Sequence, residues 1–339
     1  MTNLTYTVND FKSDNEVRWC PGCGDFAIMN AVQRTMAGMG VPREKFVVVS
    51  GIGCSSRFPY YMSTYGFHTI HGRAMAVASG VKVANPDLNV WVVTGDGDAM
   101  AIGGNHFIHL IRRNIDINLI LFNNKIYGLT KGQYSPTSAR GIKTKTSPFG
   151  TVENPFVTGQ LVIGSMGTFF ARSIDSNVKL SESVFTAAAK HKGTSMVEVL
   201  QNCVIFNDGV HNEINDSEHR ADRQLIVEHG KPMIFGKEND KGIIFVNGKL
   251  KVAKIGENGI TVNDILVHNA TDPDPSIQLS LINMQLPDFP VVFGVIRSVT
   301  APVYDIEVKA QIKGIQKNRT ITCVDELLNS GSTWKVTGN

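Results

Sequence analysis

The sequence predicts an α/β fold, a mostly parallel sheet covered by helices on both faces, and three observations carry that prediction. Helix-like and strand-like segments alternate from Asp25 onward. The strand-like segments are short apolar runs such as Phe46 to Ser50 and Asn89 to Thr94. Between Asn89 and Phe122 the order is strand, helix, strand, and such a crossover is right-handed with its two strands parallel.

In chain order, Phe26 to Met39 reads as a helix ended by Gly40, and Phe46 to Ser50 as a strand. Gly72 to Ala84 is a small-residue helix that stops before Pro86. After the run Asn89 to Thr94, Phe107, Leu110 and Ile111 recur at helical spacing, and Ile117 to Phe122 returns to strand. Gly128 to Gly150 is rich in Gly, Ser, Thr and Lys without apolar periodicity, which marks a long functional loop. A strand over Thr168 to Ala171, a helix over Ser181 to His191 and a strand over Ser195 to Leu200 complete the sheet.

Beyond Asp208 the pattern changes, and His211 to Gly230 is polar and partly helical. Strand-like runs follow at Gly242 to Val246, Lys249 to Ile255, Ile260 to Val262 and Val291 to Ile296. The expected division is an α/β domain over 1–210 and a β-bearing C-terminal extension over 211–339, partly packed on the first.

Composition excludes several classes. The chain has 339 residues, 42% hydrophobic and 19% charged, enough to bury a full core and too apolar for disorder. Its formal net charge of +3 is nearly balanced over 33 basic and 30 acidic residues, so nothing points to nucleic acid. No apolar run is long enough to cross a bilayer, and the first stretch, Met1 to Glu16, lacks a signal-peptide core. A reducing, cytoplasmic location is the expectation.

The most informative stretch is Gly95-Asp96-Gly97-Asp98, at the end of one apolar run, answered by Asn123-Asn124 at the end of the next. Either dipeptide alone is an ordinary turn signal. Placed at the ends of two parallel strands, they bring Asp96 and Asn124 to the same sheet edge. A carboxylate and an amide there, beside a helix N-terminus, suit Mg²⁺ held together with phosphates.

Five cysteines occur, at positions 20, 23, 54, 203 and 323. Cys20 and Cys23 form a two-thiolate bite in Trp19-Cys20-Pro21-Gly22-Cys23-Gly24, Cys54 follows Gly51-Ile52-Gly53, and Cys203 closes the run from Ser195 to Leu200. Tetrathiolate zinc needs the same ligands, and a disulfide framework fits poorly with so long and cysteine-sparse a chain. Cys54 opens on the clamp's sheet edge, and beside the thiamine cofactor that the motif resemblance described next implies, a redox-active 4Fe-4S cluster on Cys20, Cys23, Cys54 and Cys203 is preferred to redox-silent zinc. Cys323, in the apolar run Thr320 to Val324, is expected to be a small packed residue.

Gly95-Asp96-Gly97 followed by Asn123-Asn124 resembles the signature of the thiamine-diphosphate enzymes. The ordered set WCPGCG, GIGCSSR, HGRA, GDGDAMAIGGNH, NNKIYGLTKGQ and a lone distal cysteine, from Arg18 to about Asn207, is similar to the β subunit of the 2-oxoacid:ferredoxin oxidoreductases. That resemblance implies the thiamine-diphosphate-binding fold. It implies Mg²⁺ on Asp96, Asn124 and the main-chain carbonyl of Ile126. Cofactor contacts would come from Gly53, Cys54, Ser55, His71, Gly95, Asp96, Gly97, Asp98, Asn124, Ile126, Gly128, Leu129 and Thr130. No catalytic residue is assigned to this chain itself. Arg57, Lys131 and His71 match family positions for substrate and cofactor contact, with Arg73, Arg140 and Lys143 as weaker helpers.

The implied activity is oxidative decarboxylation of a 2-oxoacid with coenzyme A, the electrons leaving through the 4Fe-4S cluster to ferredoxin. No glutamate in the glycine-rich motifs is placed to serve the cofactor's aminopyrimidine, and in the family an α subunit supplies it. The chain is therefore expected to work only as an αβ heterodimer or (αβ)2. The tail from Asp272 through Phe289-Pro290-Val291-Val292-Phe293-Gly294 resembles 2-oxoglutarate-type β subunits, giving succinyl-CoA, with pyruvate and branched-chain 2-oxoacids as alternatives. A non-oxidative thiamine enzyme, or a zinc-stapled non-catalytic interaction subunit, would each explain only half of the motif set. A nicotinamide dehydrogenase fits less well, because Gly51-Ile52-Gly53 lacks the third glycine.

Overall fold

The computed structural model describes residues 5–338, so residues 1–4 at the start of the expected first domain and Asn339 at the end of the expected extension lie outside the described residues. The described residues form eleven strands: β1 Phe46–Ser50, β2 Tyr65–His68, β3 Asn89–Gly95, β4 Asn118–Asn123, β5 Phe169–Ile174, β6 Ser195–Leu200, β7 Gln224–Val227, β8 Ile234–Phe235, β9 Lys241–Val246, β10 Lys249–Lys254 and β11 Val291–Ser298. Eight make one sheet in the order β2-β1-β3-β4-β6-β5-β11-β7. Neighbours from β2 to β5 are parallel. β11 runs antiparallel to β5, and β7 pairs parallel to β11.

The central strands are buried along their whole length because helices cover both faces. Their side chains divide by the two-residue period of a strand. Val47, Val49, Val90, Val92, Leu119 and Leu121 enter one layer with Phe107, Leu110 and Ile111 of the helix Gly104–Arg113. Val48, Trp91, Val93, Ile120, Phe122, Val197 and Val199 enter the other, against the helices Asp25–Gly38 and Val178–Lys190. The expected helices and strands up to residue 200 are present with shifts of a few residues at their ends, and the Gly128 to Gly150 stretch contains neither helix nor strand.

Three expectations are corrected. The Val291 to Ile296 run, expected as part of a C-terminal extension, belongs to β11 and lies inside the main sheet, as does β7. Only β8, β9 and β10 form the second sheet, antiparallel in the order β10-β9-β8. Ile260 to Val262 is not a strand, because Thr261 caps a 3-10 turn, its amide and hydroxyl both donating to Asp264 Oδ2 at 2.8 and 2.7 Å. Cys323 is exposed at the N-cap of the short helix Val324–Leu328. The Thr320 to Val324 run finds no strand to pair with, and Glu326 takes the Thr322 amide at 2.7 Å. The edge strand β2, exposed throughout, went unanticipated.

No helix among the described residues is long and apolar enough to cross a membrane.

Candidate active site

The parallel strands place their C-terminal ends side by side. Gly95 of β3 pairs with Phe122 of β4, and Asn123 of β4 with Leu200 of β6, so Asp96, Asn124 and the segment leading to Cys203 leave the sheet along one edge. β1 ends in register at the same edge, with Ser50 opposite Val93, and its following loop carries Cys54. A cleft of about 410 Å³ opens there, and every cofactor-binding residue named above lines it, from Gly53, Cys54 and Ser55 through His71 and the Gly95 to Asp98 turn to Asn124, Ile126 and Gly128 to Thr130.

Asp96 is 2% exposed and has no salt-bridge partner among the described residues. Its Oδ2 accepts hydrogen bonds from Ser135 at 2.5 Å and from Thr137. Burial pushes its pKa up to about 6 in spite of those two bonds. A buried carboxylate fixed by hydroxyls and lacking a cation is suited to a hard metal ion, so this donor set fits Mg²⁺. Asn124 is half-buried beside it, and its Oδ1 accepts from the Ile126 amide at 3.2 Å. Asn123 points the other way, donating to Glu198 at 2.8 Å and accepting from Thr137 at 3.0 Å.

Asp98 lines the cleft, yet its carboxylate is fully engaged within the protein. Oδ1 accepts from the amides of Ile52 at 3.1 Å and Gly72 at 2.7 Å, and Oδ2 from the Thr94 hydroxyl at 2.8 Å. It ties three loops together and offers a diphosphate no favourable charge. Gly97 leaves room for Tyr127: a Cβ there would meet the ring at 2.2 Å, and the Tyr127 hydroxyl donates to the Gly97 carbonyl at 3.1 Å.

The thiols gather at the mouth of this cleft. A Cβ on Gly128 would lie 3.4 Å from Cys203 Sγ and 3.8 Å from Cys54 Sγ. The Cys23 amide bonds the Cys20 carbonyl at 3.0 Å, and Gln201 Nε2 donates to Cys23 Sγ at 3.3 Å. Burial first, and then the Asp25 carboxylate, raise the pKa of Cys54 to about 11 and that of Cys23 further. No three of these sulfurs lie within 4.8 Å of one another among the described residues. Four thiolates on one zinc, at roughly 2.3 Å each, would draw the sulfurs to about 3.8 Å apart. Four thiols gathered this way are a donor set that suits a thiolate-bound metal centre.

The expected substrate cations lie outside the wall of the cleft. Arg57 donates from Nη1 to the Arg18 carbonyl at 2.9 Å, and Lys131 is exposed at a φ of 75°. Arg73 donates to the His71 carbonyl at 3.2 Å and Arg140 to Asn154 at 3.1 Å, while Lys143 is exposed. Sequence reasoning missed Ser135 and Thr137, the buried Arg172–Glu198 ion pair at 2.7 Å and the buried Asp25, whose Oδ2 has no hydrogen-bond partner among the described residues. The hydroxyl-rich composition of the 128–150 loop was the one available signal for the first two.

Residues 51–199 match the family model described as the thiamine pyrophosphate enzyme, C-terminal TPP binding domain. The chain is 44% identical over 330 residues to the 2-oxoglutarate oxidoreductase subunit KorB of Mycobacterium tuberculosis, covering 96% of this chain and 88% of that protein. It is 39% identical over 237 residues to the 2-oxoglutarate synthase subunit KorB of Methanocaldococcus jannaschii, covering 70% of this chain and 86% of that one. Among solved structures, a chain of the 2-oxoglutarate:ferredoxin oxidoreductase from Magnetococcus marinus, with 2-oxoglutarate, coenzyme A and succinyl-CoA bound, superposes with a TM-score of 0.77 at 32% identity, covering 98% of both chains. With 44% identity over nearly the whole chain and this likeness in fold, the chain belongs to the KorB family, the β subunits of 2-oxoacid:ferredoxin oxidoreductases of the 2-oxoglutarate type.

Proposed function

We propose that this chain, with an α subunit, converts 2-oxoglutarate and coenzyme A to succinyl-CoA and CO₂ and delivers the two electrons released to ferredoxin. The observation that carries the reading is the position of Cys54, which lines the cleft of the Asp96–Asn124 clamp and stands with Cys203 against Gly128. A redox centre on these thiols would border the coenzyme directly.

Asp96, Asn124 and the Ile126 carbonyl would hold Mg²⁺, and through it the diphosphate of thiamine diphosphate. Bound there, thiamine diphosphate would supply the electron sink for decarboxylation, and a 4Fe-4S cluster on Cys20, Cys23, Cys54 and Cys203 the one-electron acceptor. The chain's own residues position these groups. Ser135 and Thr137 orient the Asp96 carboxylate, Asp98 holds the loops of Ile52 and Gly72 against β3, and Trp19 Nε1 anchors the Cys54 carbonyl at 2.7 Å. Arg57 and Lys131 do not line the cleft but stand close in sequence to residues that do, and they are the chain's candidate cations for the substrate's carboxylates.

Anaerobic assay of the chain with and without its α partner tests the reading. Coenzyme-A-dependent reduction of ferredoxin by 2-oxoglutarate requires both chains; turnover by this chain alone, or a preference for pyruvate in the complex, overturns it. Asp96→Asn in the complex should weaken Mg²⁺-dependent thiamine diphosphate binding by about tenfold or more.

A further inference from the structure

Strand β6 ends at Leu200, and the next residue, Gln201, leaves the sheet between the metal clamp and the thiols. Its backbone amide donates to the Asn123 carbonyl at 3.0 Å, which extends the pairing of β4 with β6 by one step and fixes the residue beside the clamp. Gln201 is 1% exposed, so its side-chain amide has no bulk water to bond and is matched inside the protein.

The orientation of that amide follows from its partners. Nε2 lies 2.7 Å from the Asn202 carbonyl, an acceptor with no hydrogen to give, so the nitrogen and not Oε1 faces it. The second hydrogen of the same nitrogen goes to Cys23 Sγ at 3.3 Å. The Asn202 carbonyl also takes the Gly24 amide at 3.3 Å, so the turn after Cys23 and the side chain that addresses its sulfur are held on one atom. Oε1 is buried with no hydrogen-bond partner among the described residues. An unpaired buried acceptor costs free energy, and the chain bears that cost while keeping the nitrogen on the sulfur. No other side chain donates a hydrogen bond to a cysteine sulfur among the described residues.

The charges near this sulfur give the donor its importance. Asp25, two positions beyond Cys23 and 2% exposed, places a carboxylate beside it. Asp175 lies against the same turn, its Oδ2 accepting the Asn202 amide at 2.7 Å. Negative charge at close range opposes the arrival of an electron at a thiolate-bound centre, whereas an N–H directed at a ligating sulfur favours it. The Gln201 amide works against the two carboxylates.

We propose that Gln201 is a positioning residue that raises the reduction potential of the cluster through its hydrogen bond to Cys23 Sγ. The inference rests on the reading of Cys20, Cys23, Cys54 and Cys203 as cluster ligands. Because the backbone of Gln201 is paired with Asn123, one strand end braces the coenzyme's clamp and tunes the electron acceptor beside it.

An anaerobic redox titration of the αβ complex, followed by the electron resonance of the reduced cluster, tests it. Gln201→Met keeps the length of the side chain and loses the N–H, and it moves the midpoint to more negative potential by about 60 mV, a tenfold change in the one-electron equilibrium. Gln201→Leu moves it in the same direction. Val204→Ala, which trims a side chain beside Gly22 and removes no sulfur donor, leaves the midpoint at the wild-type value. Iron content and Mg²⁺-dependent uptake of thiamine diphosphate, measured on each variant, identify the complexes whose sites are intact. An unchanged or more positive midpoint in a Gln201 variant with full iron overturns the proposal, as does an equal shift in Val204→Ala. Loss of iron from both Gln201 variants also overturns it, because the amide is then required for assembly and not for potential. A wild-type complex without iron overturns the cluster reading itself, which separates the two failures.

Discussion

Asp98 Oδ1 accepts the Gly72 amide at 2.7 Å, and this bond joins the turn after β2 to the turn after β3. The same oxygen takes the Ile52 amide at 3.1 Å, so one carboxylate spans all three loops at the cofactor edge. The second aspartate of Gly-Asp-Gly-Asp is thus a strut, and the first is the residue with a vacant charge.

Removing that strut has a calculable cost. Asp98→Ala leaves the Ile52 and Gly72 amides without their acceptor, a loss of about 1–3 kcal/mol for each uncompensated group, while the Thr94 hydroxyl can still turn to the Gly95 carbonyl. Thermal denaturation should show a clear fall in midpoint, with coenzyme affinity falling alongside. Asp98→Asn, which keeps an acceptor for the amides, should lose less; equal stability of the alanine variant and the wild type contradicts the strut.

At Gly97 a methyl group would stand 2.2 Å from the Tyr127 ring. Overpacking of this kind costs about 1–3 kcal/mol, and here it displaces a residue of the clamp turn. Gly97→Ala should therefore weaken thiamine diphosphate binding, and Gly97→Ala combined with Tyr127→Ala should recover part of it. A double variant no better than the single one would place the defect elsewhere.

Among the cysteines, Cys203→Ser should abolish cluster assembly, read as loss of iron and sulfide from the anaerobically purified complex. Cys323→Ser should leave both contents unchanged, because that thiol is exposed at the start of the helix Val324–Leu328. Full iron content in Cys203→Ser would remove it from the ligand set.

Acid stability follows from His191. Its Nε2 lies 2.9 Å from Thr168 Oγ1, its ring centroid lies 5.2 Å from that of Phe169 with the planes tilted by 45°, and burial lowers its pKa from 6.5 to about 4. The folded chain then binds fewer protons than the unfolded chain between those values. Its contribution is complete above pH 6.5 and is lost as pH falls toward 4, with a slope of at most about 1.4 kcal/mol per pH unit. Urea midpoints measured across this window should decline with acidification, and less steeply in His191→Gln; parallel declines would assign the sensitivity to other groups.

The sequence by itself determined the edge at which the chemistry sits. Turn residues at Gly95-Asp96-Gly97 and Asn123-Asn124, apolar runs before them and the handedness of a strand–helix–strand unit are local or topological constraints, and together they bring Asp96, Asn124, Cys54 and Cys203 to one side of the sheet. Tertiary structure alone decided which polar groups face each other there. Ser135 and Thr137 reach Asp96 from a loop about forty positions on, Arg172 meets Glu198 across adjacent strands, and β7 and β11 enter the main sheet from beyond residue 210. Periodicity and turn chemistry specify the face on which a residue lies, whereas hydrogen-bond partners and strand neighbours depend on contacts between segments distant in the chain. For the same reason Asp96 and Asp98, identical in type and two residues apart, have opposite uses: one has no cation of its own among the described residues, and the other spends both its oxygens on protein donors.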